Sequence, residues 1–144
     1  GNEYTSTRVM DKALMDRFTI VEMDVLTDEE ELGLLTYMFP HVNSDLLKSV
    51  SEIAHLTRVE SKSDTGKLST GISTRTSVEM AGLLYDGFDL NEAAEVTAYP
   101  QFADDGGVDS ERTYVKQLVQ KYINDGSNED LFNEEEMTDE KENS

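Results

Sequence analysis

Two arginines stand where phosphate chemistry could be done. Arg17 follows Met15-Asp16 at the mouth of a predicted strand, and Arg75 falls in the first turn of a predicted helix. An arginine in that turn opposes the helix dipole, so something other than helix stability favours it there. A guanidinium beside a helix N-terminus can grip a phosphate oxygen jointly with the free amides. The plainer reading is a surface salt bridge, which is common and contributes little.

Other phosphate and metal chemistry is poorly supplied. A phosphate-binding loop needs Gly, four residues, then Gly-Lys-Ser/Thr, so that backbone amides cradle the phosphates. Gly66-Lys67 resembles its end, but Ser61 replaces the first glycine and Leu68 the Ser or Thr. Gly66 therefore reads as a turn residue. No apolar strand ending in Asp-Glu is present to hold magnesium. An EF-hand loop begun at Asp125 puts Ser127, Glu129 and Glu136 on ligand positions, yet Asp130 stands where glycine is required. His41 and His55 are the only histidines and share no ligand spacing, so both read as surface or packing residues. No metal site is expected.

The chain has 144 residues, enough for one domain, and a formal net charge of −19. A potential of that sign repels phosphate backbones and anionic membranes, which argues against nucleic acid or a membrane as a direct partner. Residues 124–144 hold nine acidic side chains and one lysine, a net of −8, and the body carries the remaining −11. Cysteine is absent, which removes disulfides and thiolate chemistry and suits a cytoplasmic location. No apolar run approaches the ~18 residues that would span a bilayer.

The elements that must hold these residues are mostly helical. A short helix is expected around Asp11–Asp16, then a strand over Phe18–Met23, where β-branched residues roughly alternate. Thr27-Asp28-Glu29-Glu30 is a capping box opening a helix, with Asp28 to Glu31 at its positive end. Leu32, Leu35, Met38 and Phe39 follow at helical spacing before Pro40. A second helix starts near Asn43 or Ser44, buries Leu46, Val50, Ile53 and Thr57, and fades near Glu60. Residues 61–72 read as a polar loop or short hairpin. Ser73 caps a third helix with Val78, Ala81 and Tyr85 as its buried stripe and Gly87 as its C-terminal glycine. Asp89 with Glu92 opens a fourth, which runs to Tyr99-Pro100, and Val115, Leu118, Val119, Tyr122 and Ile123 mark a last one. From Asn124 the composition is that of a disordered acidic tail.

The order of these features resembles a known pattern. Ala13-Leu14-Met15-Asp16-Arg17-Phe18, a strand, a helical region, then Gly71-Ile72-Ser73-Thr74-Arg75-Thr76 opening a helix is similar to the C-terminal part of AAA+ ATPases of the MoxR type, and within them CobS-like cobaltochelatase subunits. The resemblance covers about residues 2–100. It implies that residues 1–26 are the end of a nucleotide-binding core and that an α-helical lid follows, bounded at 27–123; the last helix and the acidic tail over 124–144 match nothing in the family pattern. The implied fold is a mostly α, lid-type bundle of about five helices with a short N-terminal strand. It makes Arg17 the arginine finger reaching a neighbouring subunit's γ-phosphate, Arg75 the sensor-2 arginine, and Asn2 the polar sensor-1 residue.

The same resemblance implies ATP and Mg as cofactors of the intact protein, with none held by this chain alone. The phosphate loop and magnesium-binding strand are missing, so the chain reads as a fragment without ATPase activity of its own. Its implied partners are an N-terminal AAA+ core, neighbouring subunits of a homo-oligomeric ring, and a protein substrate or chelatase to be remodelled. The alternative of another class is a stand-alone acidic helical adaptor that binds basic partners through its faces and tail.

Overall fold

The computed structural model describes residues 26–125. The expected helix around Asp11–Asp16, the strand over Phe18–Met23 and the acidic tail past residue 125 lie outside the described residues. Within them the chain is a bundle of five α-helices without a strand: α1 (Asp28–Met38), α2 (Ser44–Lys62), α3 (Thr74–Tyr85), α4 (Leu90–Thr97) and α5 (111–125). Two 3₁₀ turns, Tyr99–Gln101 and Gly107–Asp109, lie between α4 and α5. Asn124 and Asp125, read from composition as tail, are helical.

Side-chain caps fix where the helices begin. The Thr27 hydroxyl accepts from the Glu30 amide at 3.1 Å and donates to the Glu30 carboxylate at 3.2 Å. Asn43 caps α2 through the Asp45 amide, and Ser73 caps α3 through the Thr76 amide. Both halves of the expected box at Asp89 and Glu92 are made. Each such cap satisfies amides that the helix itself leaves unpaired. At the end of α3, Gly87 takes φ +100, its amide bonds Leu84, and the Phe88 amide bonds Leu83. That paired arrangement needs a left-handed residue, which glycine adopts without a Cβ penalty.

The helix faces differ from the expected stripes in three places. On α2, Leu47 is buried where Leu46 was expected, and Leu46 is exposed. On α3, Leu84 is buried and Tyr85 is exposed, its ring 6.2 Å from that of Phe39. Both slips are of one residue, a rotation of about 100° that apolar neighbours disguise in the sequence. On α1 the buried face is Glu31, Leu34, Leu35 and Met38, while Leu32 is only partly buried. Helix α2 also runs two residues past Glu60, and residues 63–73 form a loop, not a hairpin.

α1 packs on α2, α3 on α2 and α4, and Val115 and Val119 of α5 are buried in the same core as Ile53, Met80 and Phe102. Among the described residues no helix is long and apolar enough to cross a membrane.

Two phenols in this packing make stability depend on pH. Tyr99 is buried and donates to the side-chain amide oxygen of Asn91 at 3.0 Å. Burial, with the nearby Glu95 carboxylate, pushes its pKa up to about 12. Burial of Tyr122, its hydrogen bond to Glu52 and the charges of Glu52 and Asp125 push it up to about 12 as well. The unfolded chain releases both protons near the ordinary value of about 10. Between those values the folded state holds protons that the unfolded state has lost, so stability is complete below pH 10 and falls as pH rises toward 12. Thermal melts at several pH values should show this decline, and Tyr99→Phe with Tyr122→Phe should reduce it, leaving the part due to Tyr114, which burial and the Glu60 charge also raise.

Candidate functional site

The first turn of α3 presents Arg75 to solvent between two buried threonines, Thr74 and Thr76. The turn is tied on its inner side. The Ser73 hydroxyl accepts from the Thr76 amide at 3.2 Å, and Gln101 donates to the Thr76 hydroxyl and to the Thr97 carbonyl, both at 2.8 Å. No acidic residue lies in this first turn, whereas α1 begins with four. The amide end of α3 and the exposed Arg75 guanidinium therefore add two positive features at one place, in a chain of strongly negative charge. That arrangement suits a phosphate oxygen.

What holds this turn against the rest of the bundle is an ion pair on the core side. Glu31, in the first turn of α1, is fully buried, and both its carboxylate oxygens are taken by Arg58 of α2, at 2.6 and 2.9 Å. The Nε of Arg58 donates to the Ile72 carbonyl at 2.6 Å. The Ile72 amide donates in turn to the Thr57 hydroxyl at 2.9 Å, which itself donates to the Ala54 carbonyl. Gly71 lies flat against α2, where an added Cβ would come within 2.7 Å of the Arg58 Cα. The glycine of the Gly71-Ile72-Ser73 segment is thus required by close approach of two backbones.

The planar guanidinium suits this role, since it serves two carboxylate oxygens and a carbonyl at once and keeps its charge when partly buried. Neither Glu31 nor Arg58 was among the sequence-derived site residues. A signal existed for both. Glu31 is in register with Leu34, Leu35 and Met38, and Arg58 with Leu47, Val50 and Ala54, so each is a charge on an otherwise apolar stripe.

Of the three residues assigned from the resemblance, only Arg75 is described, and Arg17 and Asn2 lie outside the described residues. Gly66 is a turn residue: its amide bonds the Ser63 carbonyl at 3.0 Å, and a Cβ there would collide with the Glu60 carbonyl. His41 and His55 are both exposed. No group of three or more His, Cys, Asp or Glu among the described residues is placed to hold a metal ion.

A family model described as the CbbQ/NirQ/NorQ C-terminal region matches residues 39–121, more than half of the chain. None of the curated proteins compared matches it. The matched span contains Arg58 and Arg75, while Glu31 lies upstream of it.

Breaking a buried ion pair from one side leaves the other charge without compensation, at a cost of about 3–5 kcal/mol. Arg58→Met should accordingly lower the unfolding free energy of the chain by about that amount. The urea midpoint reads the loss directly.

Proposed function

The chain belongs to the CbbQ/NirQ/NorQ C-terminal family, a C-terminal part of a MoxR-like AAA+ ATPase, and from that premise we propose that it is the helical lid over the nucleotide in a ring of such subunits. Arg75 is the residue by which the lid contacts the ATP phosphates. The observation that carries this reading is the exposed Arg75 in a helix turn that holds no carboxylate. A phosphate approaching that turn meets a guanidinium and a helix N-terminus, and no like charge from the turn itself.

The described residues supply a cation but no phosphate cradle and no cluster that could hold magnesium. The fit is therefore to one edge of an ATP site, with the phosphate loop and the magnesium ligands coming from a core domain. ATP with magnesium supplies the phosphoryl group and neutralises part of its charge. In this assignment Arg75 donates to phosphate oxygens whose charge is redistributed as the terminal phosphoryl group is transferred, and so favours the transition state through a preorganised charge. Lid movement against the core, timed by hydrolysis, would do the remodelling work.

The finer assignments rest on the resemblance. Arg17 would reach the nucleotide of the adjoining subunit as an arginine finger, a role that contributes roughly 10³–10⁵ in rate where it is made. Asn2 would be the polar residue at the end of a core strand that senses the γ-phosphate. Remodelling of a protein partner, with metal insertion by a chelatase as one form of it, would be the end use.

In the full ATPase carrying this domain, Arg75→Ala should lower ATP turnover by about tenfold or more, the scale of one lost charge-assisted hydrogen bond of about 1.5–3 kcal/mol. Helical content should stay the same, because the exposed side chain leaves the Ser73 cap intact. Steady-state turnover and circular dichroism on the same preparations check both. Unchanged turnover would remove Arg75 from the nucleotide site.

A further inference from the structure

We infer that Glu31, Arg58 and Thr57 are positioning residues for Arg75, an inference that rests on the reading of Arg75 as the lid's phosphate contact. The route between them is short and has no slack. Arg58 holds the Ile72 carbonyl at 2.6 Å, and Thr57 holds the amide of the same residue at 2.9 Å. Both polar groups of one peptide residue are thus gripped by adjacent residues of α2. Ile72 itself is fully buried.

Only Ser73 and Thr74 separate Ile72 from Arg75. Ser73 is committed to the cap of α3, and Thr74 is buried. Neither can absorb a shift, so the grip on Ile72 sets where α3 begins and where the Arg75 side chain starts. Glu31 orients the grip. It occupies the two terminal nitrogens of Arg58, which leaves Nε as the donor aimed at Ile72. A carboxylate on α1 therefore fixes the guanidinium on α2 that fixes the backbone ahead of α3.

A displacement of about 1 Å at a reacting group can cost on the order of a hundredfold in rate even when the altered residue is remote from the chemistry. A single substitution in the pair would unfold the bundle in part and confuse the two effects. Replacing both charges by methionine avoids this, since a buried ion pair can often be exchanged for apolar residues of similar volume without loss of stability. The exchange keeps the packing and deletes the hydrogen bond to Ile72.

The experiment is a mutant cycle in the full ATPase, with Glu31→Met/Arg58→Met made in the wild-type and the Arg75→Ala backgrounds. The expected result is a thermal midpoint near that of the parent and ATP turnover about tenfold lower in the wild-type background. In the Arg75→Ala background the same replacement should change turnover by less than about twofold, because the residue being positioned is gone. Turnover that is unchanged in the wild-type background, or that falls by the same factor in both, overturns the inference and leaves the role of Arg75 standing. Loss of all effect from Arg75→Ala itself would instead overturn the reading on which the inference rests. Should the paired replacement not fold, Thr57→Val removes the grip on the Ile72 amide, together with the Thr57 bond to the Ala54 carbonyl within α2, in a side chain of similar shape. A loss present with Arg75 and absent without it is again expected, and equal losses in both backgrounds overturn the inference.

Discussion

One guanidinium joins three helices. Arg58 stands on α2, pairs with a carboxylate on α1, and holds the backbone that leads into α3. Taking two charges out of water is costly, and their attraction offsets that cost only where geometry and further hydrogen bonds are good. Both Glu31 oxygens are bonded to Arg58, whose Nε meets a carbonyl, so the condition is met here. The apolar core around Leu35, Ile53 and Ile72 could form in several rotations of helix on helix. A buried pair with directed bonds admits far fewer, because any other rotation strands a charge. The net energy of such a pair can be small while its effect on specificity is large.

The sequence revealed the helix ends better than the helix faces. Caps are local chemistry: Thr27, Ser73 and Asp89 each meet an amide three residues on, so their pattern is contained in four letters. Faces are set by distant neighbours. Leu46 and Leu47 are equally apolar, and only the packing of α2 against its neighbours chooses Leu47. Leu84 and Tyr85 pose the same choice, and the aromatic ring goes outward to Phe39. Glu31 was concealed for another reason. In the first turn of a helix an acidic residue already has an explanation in the dipole, so its second role across the core was masked by its first. Arg75 stood out in the sequence because its position lacks any such local explanation.

The folding unit begins before the span that the family model matches. That span starts at Phe39, yet Leu35 and Glu31 of α1 are wholly buried against α2 and α3. Without α1, Arg58 would lose its counter-charge, and Ser51 of α2 would lose its bond to the Asp28 carbonyl. The boundary of the domain as a physical object is therefore set by burial, and it includes at least the turn at Thr27. At the start of α1, Asp28, Glu29 and Glu30 are exposed and only Glu31 turns inward, while the start of α3 holds no acid.

The connection between α2 and α3 has no regular structure and much of it is exposed, the profile of a loop that opens easily. Its backbone contradicts that profile. Lys67 donates to the Glu60 carboxylate, Ser69 to Glu111 on α5, and Ile72 to Thr57, while Leu68 is buried in the core. Two of these anchors are on α2 and one is on α5, and Leu68 adds the core, so the segment cannot detach from one helix without also leaving another. Freeing Leu68 and Ile72 exposes the interior, so full release of the segment is coupled to opening of the core.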